Sequence, residues 1–243
     1  MKIVRHIPNT ITSMNLLCGA LGVIFALNGK IDIAFYLMLI GAVCDFCDGL
    51  SARLFNAYSP MGKELDSLAD LISFGLLPSV MIYKVMTINH EDSWFCYLPL
   101  IIAVFSGLRL AKFNTDDRQT ENFIGLATPA CAMICGSFAY CVTGTAEGII
   151  MFISWTQSTW IIPLCSVVLS LLLVSEIPMF SLKFKKASRF NRVRLFFVIF
   201  SAVIASVIII AGLHWSFIIL MIFTIYVIYN IIRMFTTIRI TQK

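Results

Sequence analysis

The chain has 243 residues, 59% of them hydrophobic and 13% charged, where an ordinary soluble domain carries about 25% charged residues. So few charges cannot cover a water-soluble fold of this size, and the mean hydropathy of +0.91 agrees; a soluble globular enzyme, a disordered chain and a nucleic-acid-binding domain are excluded. The net charge of +5 is too small and too scattered to imply a polyanionic partner, and membrane proteins use Lys and Arg to set their orientation.

A membrane-crossing helix needs about 17–25 mostly apolar residues. By that measure the sequence predicts eight spans, at 10–29, 31–56, 64–88, 94–113, 127–143, 159–175, 193–212 and 215–236. The first span follows Lys2 and Arg5 as in a signal peptide. No convincing small-residue cleavage site comes after it, and it reads as a retained helix. Connections are short and no repeat is visible, so the expectation is one all-α, polytopic membrane helical bundle over 1–243. The eight cysteines lie in or beside apolar runs, where they act as small hydrophobes with free thiols. The Cys44/Cys47 pair lacks the second ligand pair of a zinc site and reads as packing.

Charge orients these spans. With the N-terminus inside, 16 of the 18 Lys and Arg fall on inner segments, leaving only Lys30 and Lys84 outside. The expectation is a cell-membrane protein with both termini in the cytoplasm. The basic run over 183–194 suits contact with anionic membrane lipids.

Four of the 13 acidic residues, Asp45, Asp48, Asp66 and Asp70, fall on the second and third spans, where each ionisable group costs about 2.5–3.5 kcal/mol to insert. Asp45 and Asp48 are three apart, Asp66 and Asp70 four apart, so each pair shares a helix face. Pro60 and Gly62 punctuate the break between them, which predicts a helical hairpin turning on the cytoplasmic side. Asp48 stands about 12 Å before the predicted helix end, at 1.5 Å per residue. Asp66 and Asp70 fall in the first two turns of the next helix. All four carboxylates can then meet at modest depth, open to the cytoplasm. Clustered carboxylates stay ionised only beside a counter-charge. Oxygen-only ligands select hard divalent cations, and the nearby Arg53 with Gly49 and Ala52 suits phosphate oxygens. The pattern reads as metal-assisted phosphoryl chemistry on a pyrophosphate. Its rivals are intramembrane ion pairs, which four acids against one nearby base disfavour, and a proton or cation transporter, for which a midplane site would be expected.

The stretch CDFCDGLSARLFNAYSPMGKELDSLAD, Cys44 to Asp70, contains D-x-x-D-G-x-x-A-R, eight residues, then G-x-x-x-D-x-x-x-D. It resembles in full the signature of the CDP-alcohol phosphotransferase family. The resemblance implies a six-helix membrane core, usually a homodimer, that moves a phosphatidyl-type group from a CDP-linked lipid to an alcohol and releases CMP. It implies two divalent cations, Mg2+ or Mn2+. Asp45, Asp48 and Asp66 match ligands of the first, and Asp70 matches a residue that helps hold the second and acts as general base. Gly49 and Arg53 match positions facing the diphosphate, Ala52 and Gly62 small positions near the nucleotide, and Ser59 a hydroxyl meeting the donor phosphate.

Further motifs are similar to the bacterial phosphatidylserine-forming branch of that family, over about residues 5–186. The opening IPNTITSMNLLCG places Pro8, Asn9, Thr12 and Asn15 where that branch lines its CDP pocket. Read locally, Asn9 and Thr10 could equally cap the first helix. GLRLAKFNT resembles the acceptor-side motif, with Arg109, Lys112 and Asn114 as serine-binding residues and Lys112 in place of an expected Arg. Bases at that span end also suit headgroup anchors. GLATPA has Ala127 where proline is usual, and SEIPMFSLK is similar to the segment after the sixth span. The resemblance implies CDP-diacylglycerol and L-serine as substrates at a cytoplasm-facing site. Glycerol 3-phosphate or an inositol phosphate is the alternative acceptor within the family. The last two spans carry no motif, and His6, His90 and His214 receive no role.

Overall fold

The computed structural model of the protein describes residues 6–90, 93–115, 123–144, 146–179 and 191–241. The N-terminal Lys2 and Arg5, Arg118, Lys243 and residues 183–190 of the basic run lie outside them. Helix α1 (Ile7–Leu27) carries Pro8 in its first turn, where a missing N–H costs nothing. Asn9 and Thr10 therefore sit inside the helix, and Thr10 Oγ1 donates to the His6 carbonyl at 3.0 Å. The alternative expectation that they cap it is corrected.

Chain reversals follow one recipe. After α1, the Gly29 N–H donates to Ala26 O and the Lys30 N–H to Phe25 O, both at 2.9 Å, with Gly29 at φ 78°. After α2 (Ile31–Leu54), the Asn56 N–H donates to Arg53 O at 3.4 Å and the Ala57 N–H to Ala52 O at 3.0 Å, with Asn56 at φ 47°. Both are left-handed caps that satisfy the last carbonyls of a helix. Ser59 then caps α3 (Pro60–Asp70), its Oγ accepting the Gly62 N–H at 3.0 Å, and Pro60 opens the helix.

Directly after Asp70 the helix widens into a π-turn, Leu71–Leu76, and resumes as α4 (Leu77–Asn89). Its physical reason is Pro78, which donates no hydrogen bond and whose ring would meet the Phe74 carbonyl in a regular helix; a wider turn before it lets the rod continue. A 3-10 segment, Trp94–Leu100, leads into α5 (Ile101–Thr115). Next come β1 (Phe123–Ile124), α6 (Thr128–Gly144), two short helices α7 (Ala146–Met151) and α8 (Ile153–Gln157), α9 (Ile161–Val174), β2 (Pro178–Met179), α10 (Asn191–Ile210) and α11 (Ser216–Thr241). The sequence reading missed α7, α8 and the antiparallel β1–β2 ladder.

Among the described residues, five helices are long and apolar enough to cross a membrane: Ile7–Leu27, Ile31–Leu54, Pro60–Ile88, Trp94–Thr115 and Ser216–Met234. Thr128–Gly144, Ile161–Val174 and Phe197–Ile210 are shorter apolar helices. The protein is an all-α, multi-pass membrane bundle. None of its eight cysteines is joined in a disulfide among the described residues.

Lipid is as apolar as leucine, so close backbone approach, rather than exclusion from water, holds such helices together. A Cβ at Gly19 would stand 2.8 Å from Ser73 Cα, which binds α1 to the π-turn; one at Gly75 would stand 2.9 Å from Ser106 Cβ, which binds the π-turn to α5. Helix α1 runs against both α2 and α3, while α6 lies centrally against α2, α4 and α11. Phe35, Met38, Phe74, Leu77 and Met81 fill the space between them, all at 0% exposure.

Candidate active site

Helix α1, the end of α2 and the start of α3 enclose a cleft of about 220 Å3. Its lining includes Pro8, Asn9, Thr12, Asp48, Gly49, Ala52, Ser59, Gly62 and Asp66. Helix α2 ends at Leu54, two residues earlier than the sequence suggests, so Asp48 lies about 9 Å along the axis from that end. Asp66 lies a similar distance inside α3, which levels the two carboxylates. One ligand oxygen from each of Asp45, Asp48 and Asp66 can be chosen such that all lie within 4.8 Å of one another. Asp70 is one turn deeper than Asp66 and feels the charges of Asp45, Asp66 and Asp48.

The carboxylates are prepared for a cation. None of the four makes a salt bridge to a described Lys or Arg. Oδ1 of Asp66 and Oδ1 of Asp70 are buried without a hydrogen-bond partner in the described residues, a costly state for an acceptor away from water. Asp48 is oriented from α1, where the Thr12 hydroxyl donates to its Oδ2 at 2.6 Å. A hard divalent cation fits this all-oxygen set.

Small residues keep the cleft open. A Cβ at Gly62 would stand 2.9 Å from Asn9 Oδ1 and 3.0 Å from Ser59 Oγ. Arg53 lies on the exposed rim, with Nε donating to the Gly49 carbonyl at 3.0 Å. Asn15 sits one turn below Thr12, fully buried against Gly41, and neither heteroatom of its amide finds a partner among the described residues. Arg53 and Asn15 therefore stand outside the cleft lining, unlike the other seven residues matched to the CDP pocket.

Arg109 of α5 is 7% exposed and donates from one terminal nitrogen to Thr128 Oγ1 at 2.9 Å. Its Nε has no hydrogen-bond partner among the described residues, and an attractive charge interaction links it to Asp70. Its two neighbours in the sequence motif diverge from it. Lys112 pairs with Glu176 at 3.9 Å. Asn114 donates to Ser67 Oγ at 2.8 Å, and its carbonyl accepts from Lys63 Nζ at 3.2 Å, tying the end of α5 to α3.

A model of the CDP-alcohol phosphatidyltransferase family matches residues 5–172. The chain belongs to this family. Three relatives named CDP-diacylglycerol–serine O-phosphatidyltransferase extend the comparison. That of Mycobacterium leprae is 34% identical over 181 residues, covering 71% of this chain and 57% of the relative. That of Bacillus subtilis is 37% identical over 138 residues, covering 56% and 77%. That of Helicobacter pylori is 33% identical over 129 residues, covering 52% and 54%. The chain thus spans little more than half the length of two of these relatives. CDP-alcohol phosphatidyltransferases are metal-dependent, in keeping with the carboxylate cluster.

Sequence reasoning overlooked three of the residues that line this cleft, Ala57, Tyr58 and Lys63. It read Lys63 only as a topology charge; its place one residue after Gly62 of the signature was the available signal. It also overlooked Thr128, the Arg109 partner, although Thr128 lies in the GLATPA segment already singled out.

Proposed function

We propose that this CDP-alcohol phosphatidyltransferase transfers the phosphatidyl group of CDP-diacylglycerol to L-serine, giving phosphatidylserine and CMP. The observation that carries the reading is the carboxylate cluster at a cleft, together with a buried arginine, Arg109, whose Nε has no partner among the described residues. In this reading Pro8, Asn9, Thr12, Gly49, Ala52, Ser59 and Gly62 receive the CDP headgroup, the small residues admitting it close to the backbone, while the Arg53 guanidinium reaches in from the rim to diphosphate oxygens and Asn15, one turn below Thr12, supports the cleft wall from behind. Asp45, Asp48, Asp66 and Asp70 would hold two divalent cations, Mg2+ or Mn2+. When bound, these neutralise charge on the diphosphate and on the departing CMP.

Asp70 takes the proton of the serine hydroxyl as that oxygen bonds to the lipid-linked phosphorus. The bond from that phosphorus to the bridging oxygen breaks, and CMP leaves with both electrons. Arg109 receives the serine carboxylate, supported by the positive end of α6 beside it, while Lys112 and Asn114 brace the end of α5 against Glu176 and Ser67. The reading extends to one catalytic domain over 1–243 with a family core at about 5–186, eight spans, both termini and the site on the cytoplasmic face of the cell membrane, and a homodimer.

The test is a panel of alcohols with CDP-diacylglycerol and Mg2+ in detergent micelles, following CMP. L-serine should support release, and chelator should stop it. Release with glycerol 3-phosphate or an inositol phosphate but not L-serine would overturn the acceptor assignment.

A further inference from the structure

The first two turns of α3 touch two different parts of the molecule. Gly62 and Asp66, with Ser59 just before the helix, border the cleft. Lys63 and Ser67, one turn apart, bond to the end of α5. Lys63 belongs to both sets, because it also lines the cleft, and of the twelve described residues of that lining it alone is cationic.

Asn114, in the last turn of α5, is fastened to α3 at two points. Its carbonyl accepts from Lys63 Nζ at 3.2 Å, and its Nδ2 donates to Ser67 Oγ at 2.8 Å. The Ser67 hydroxyl in turn donates to the Lys63 carbonyl at 3.3 Å, which closes a ring of bonds between the two helices. Elsewhere α5 packs along the π-turn and α9, and it carries Arg109 a little over one turn before Asn114. An ammonium has three N–H donors. One is used on the Asn114 carbonyl, a neutral partner, and Lys63 makes no salt bridge to a described acid. Its charge is therefore left to meet an anion at the cleft wall.

We propose that Lys63 couples the two substrates: its ammonium donates to a phosphate oxygen of the donor while keeping its bond to Asn114, so that filling the cleft fixes the end of α5 and with it Arg109. This rests on the phosphatidyl-transfer reading above and adds to it a link between donor cleft and acceptor helix. A lysine suits the task. Its compact charge and rotatable donors serve two acceptors in different directions, where the planar fork of an arginine is matched to one. Coupling of this kind is reciprocal, so the donor tightens acceptor binding by the same factor as the acceptor tightens donor binding.

The test is titration calorimetry on the full-length protein in detergent with Mg2+. The donor probe is CDP, which carries a diphosphate and has no phosphatidyl group to transfer. In the wild type, saturating CDP should lower the L-serine Kd about five-fold or more. Lys63→Met should raise the CDP Kd about ten-fold, the loss of one charge-assisted hydrogen bond, and the L-serine Kd should then be the same with and without CDP. Lys63→Arg should keep most of the CDP affinity. If Lys63→Met does not fold, Lys63→Gln, which keeps a donor for the Asn114 carbonyl but no charge, takes its place with the same expected loss of CDP affinity.

An unchanged CDP Kd in the folded Lys63→Met or Lys63→Gln protein would overturn the inference, since a merely structural tie would weaken L-serine equally with and without CDP. Weaker CDP binding with the donor effect on L-serine intact would overturn it too, leaving Lys63 as an isolated rim charge. Failure of the underlying reading looks different. A wild type that does not bind CDP defeats phosphatidyl transfer itself. A wild type that binds CDP but not L-serine defeats only the acceptor assignment, and the coupling is then measured with the alcohol that supports CMP release.

Discussion

Asp70 differs from the other three carboxylates in its surroundings. Asp45, Asp48 and Asp66 can converge on one point, whereas Asp70 lies one turn further along α3, at its last residue before the π-turn. An asparagine there keeps the shape and one oxygen but cannot accept the hydroxyl proton. Asp70→Asn should therefore lower kcat about 100-fold or more while CDP-diacylglycerol binding persists; near-normal kcat would refute Asp70 as the base. Thr12 acts one step removed, through its 2.6 Å hydrogen bond to Asp48 Oδ2. Thr12→Val keeps the volume and loses the donor. Second-layer partners of metal ligands typically contribute ten- to a hundred-fold in affinity, so the Mg2+ concentration for half-maximal activity should rise about ten-fold. An unchanged Mg2+ dependence would show that the bond does not orient the carboxylate. The four Asp were legible because helical periodicity and membrane cost single them out together. The Thr12 hydrogen bond was not, since it joins residues 36 positions apart and depends on how α1 is laid against α2.

Among the elements, the segment joining α5 to α6 shows how a motif residue can serve architecture instead of chemistry. Gly125 has φ 78°, and a Cβ there would lie 2.6 Å from Leu173 O and 2.8 Å from Ser175 O. Its N–H donates to Ile177 O and that of Leu126 to Leu172 O, both at 2.9 Å, so the chain entering α6 caps the end of α9. Gly125→Ala meets both a disfavoured backbone region and two carbonyl oxygens. It should cost about 2 kcal/mol or more, read as a lower thermal midpoint in detergent; an unshifted midpoint would mean the segment relaxes freely. The sequence marked this stretch without revealing its purpose, because the carbonyls it approaches belong to a helix some 50 residues away. The π-turn after Asp70 was readable in principle from Pro78, but a proline signals only that a regular helix must give way. Whether it kinks, breaks or widens depends on the neighbours, here Ser106 of α5 against Gly75 and α1 against Ser73.

For the molecule as a whole, the charge asymmetry gives a direct test of topology. Reporters fused after Lys243 and within 191–194 should both register on the cytoplasmic side, and an exterior signal from either would remove the eight-span arrangement. Composition alone determined that this chain lives in lipid, because 13% charged residues cannot solvate its surface. The spacing of Asp45, Asp48, Asp66 and Asp70 likewise determined that a carboxylate cluster forms across one helical hairpin, because local periodicity dictates which side chains share a face. Other features follow from the packing of distant helices. Arg109 bonds Thr128 at the start of α6 while Lys112 pairs with Glu176, and Thr12 reaches Asp48. Each of these depends on which backbones approach closely enough to touch. In a membrane that is decided by the mutual fit of small residues along whole helices, and no local stretch of sequence encodes it.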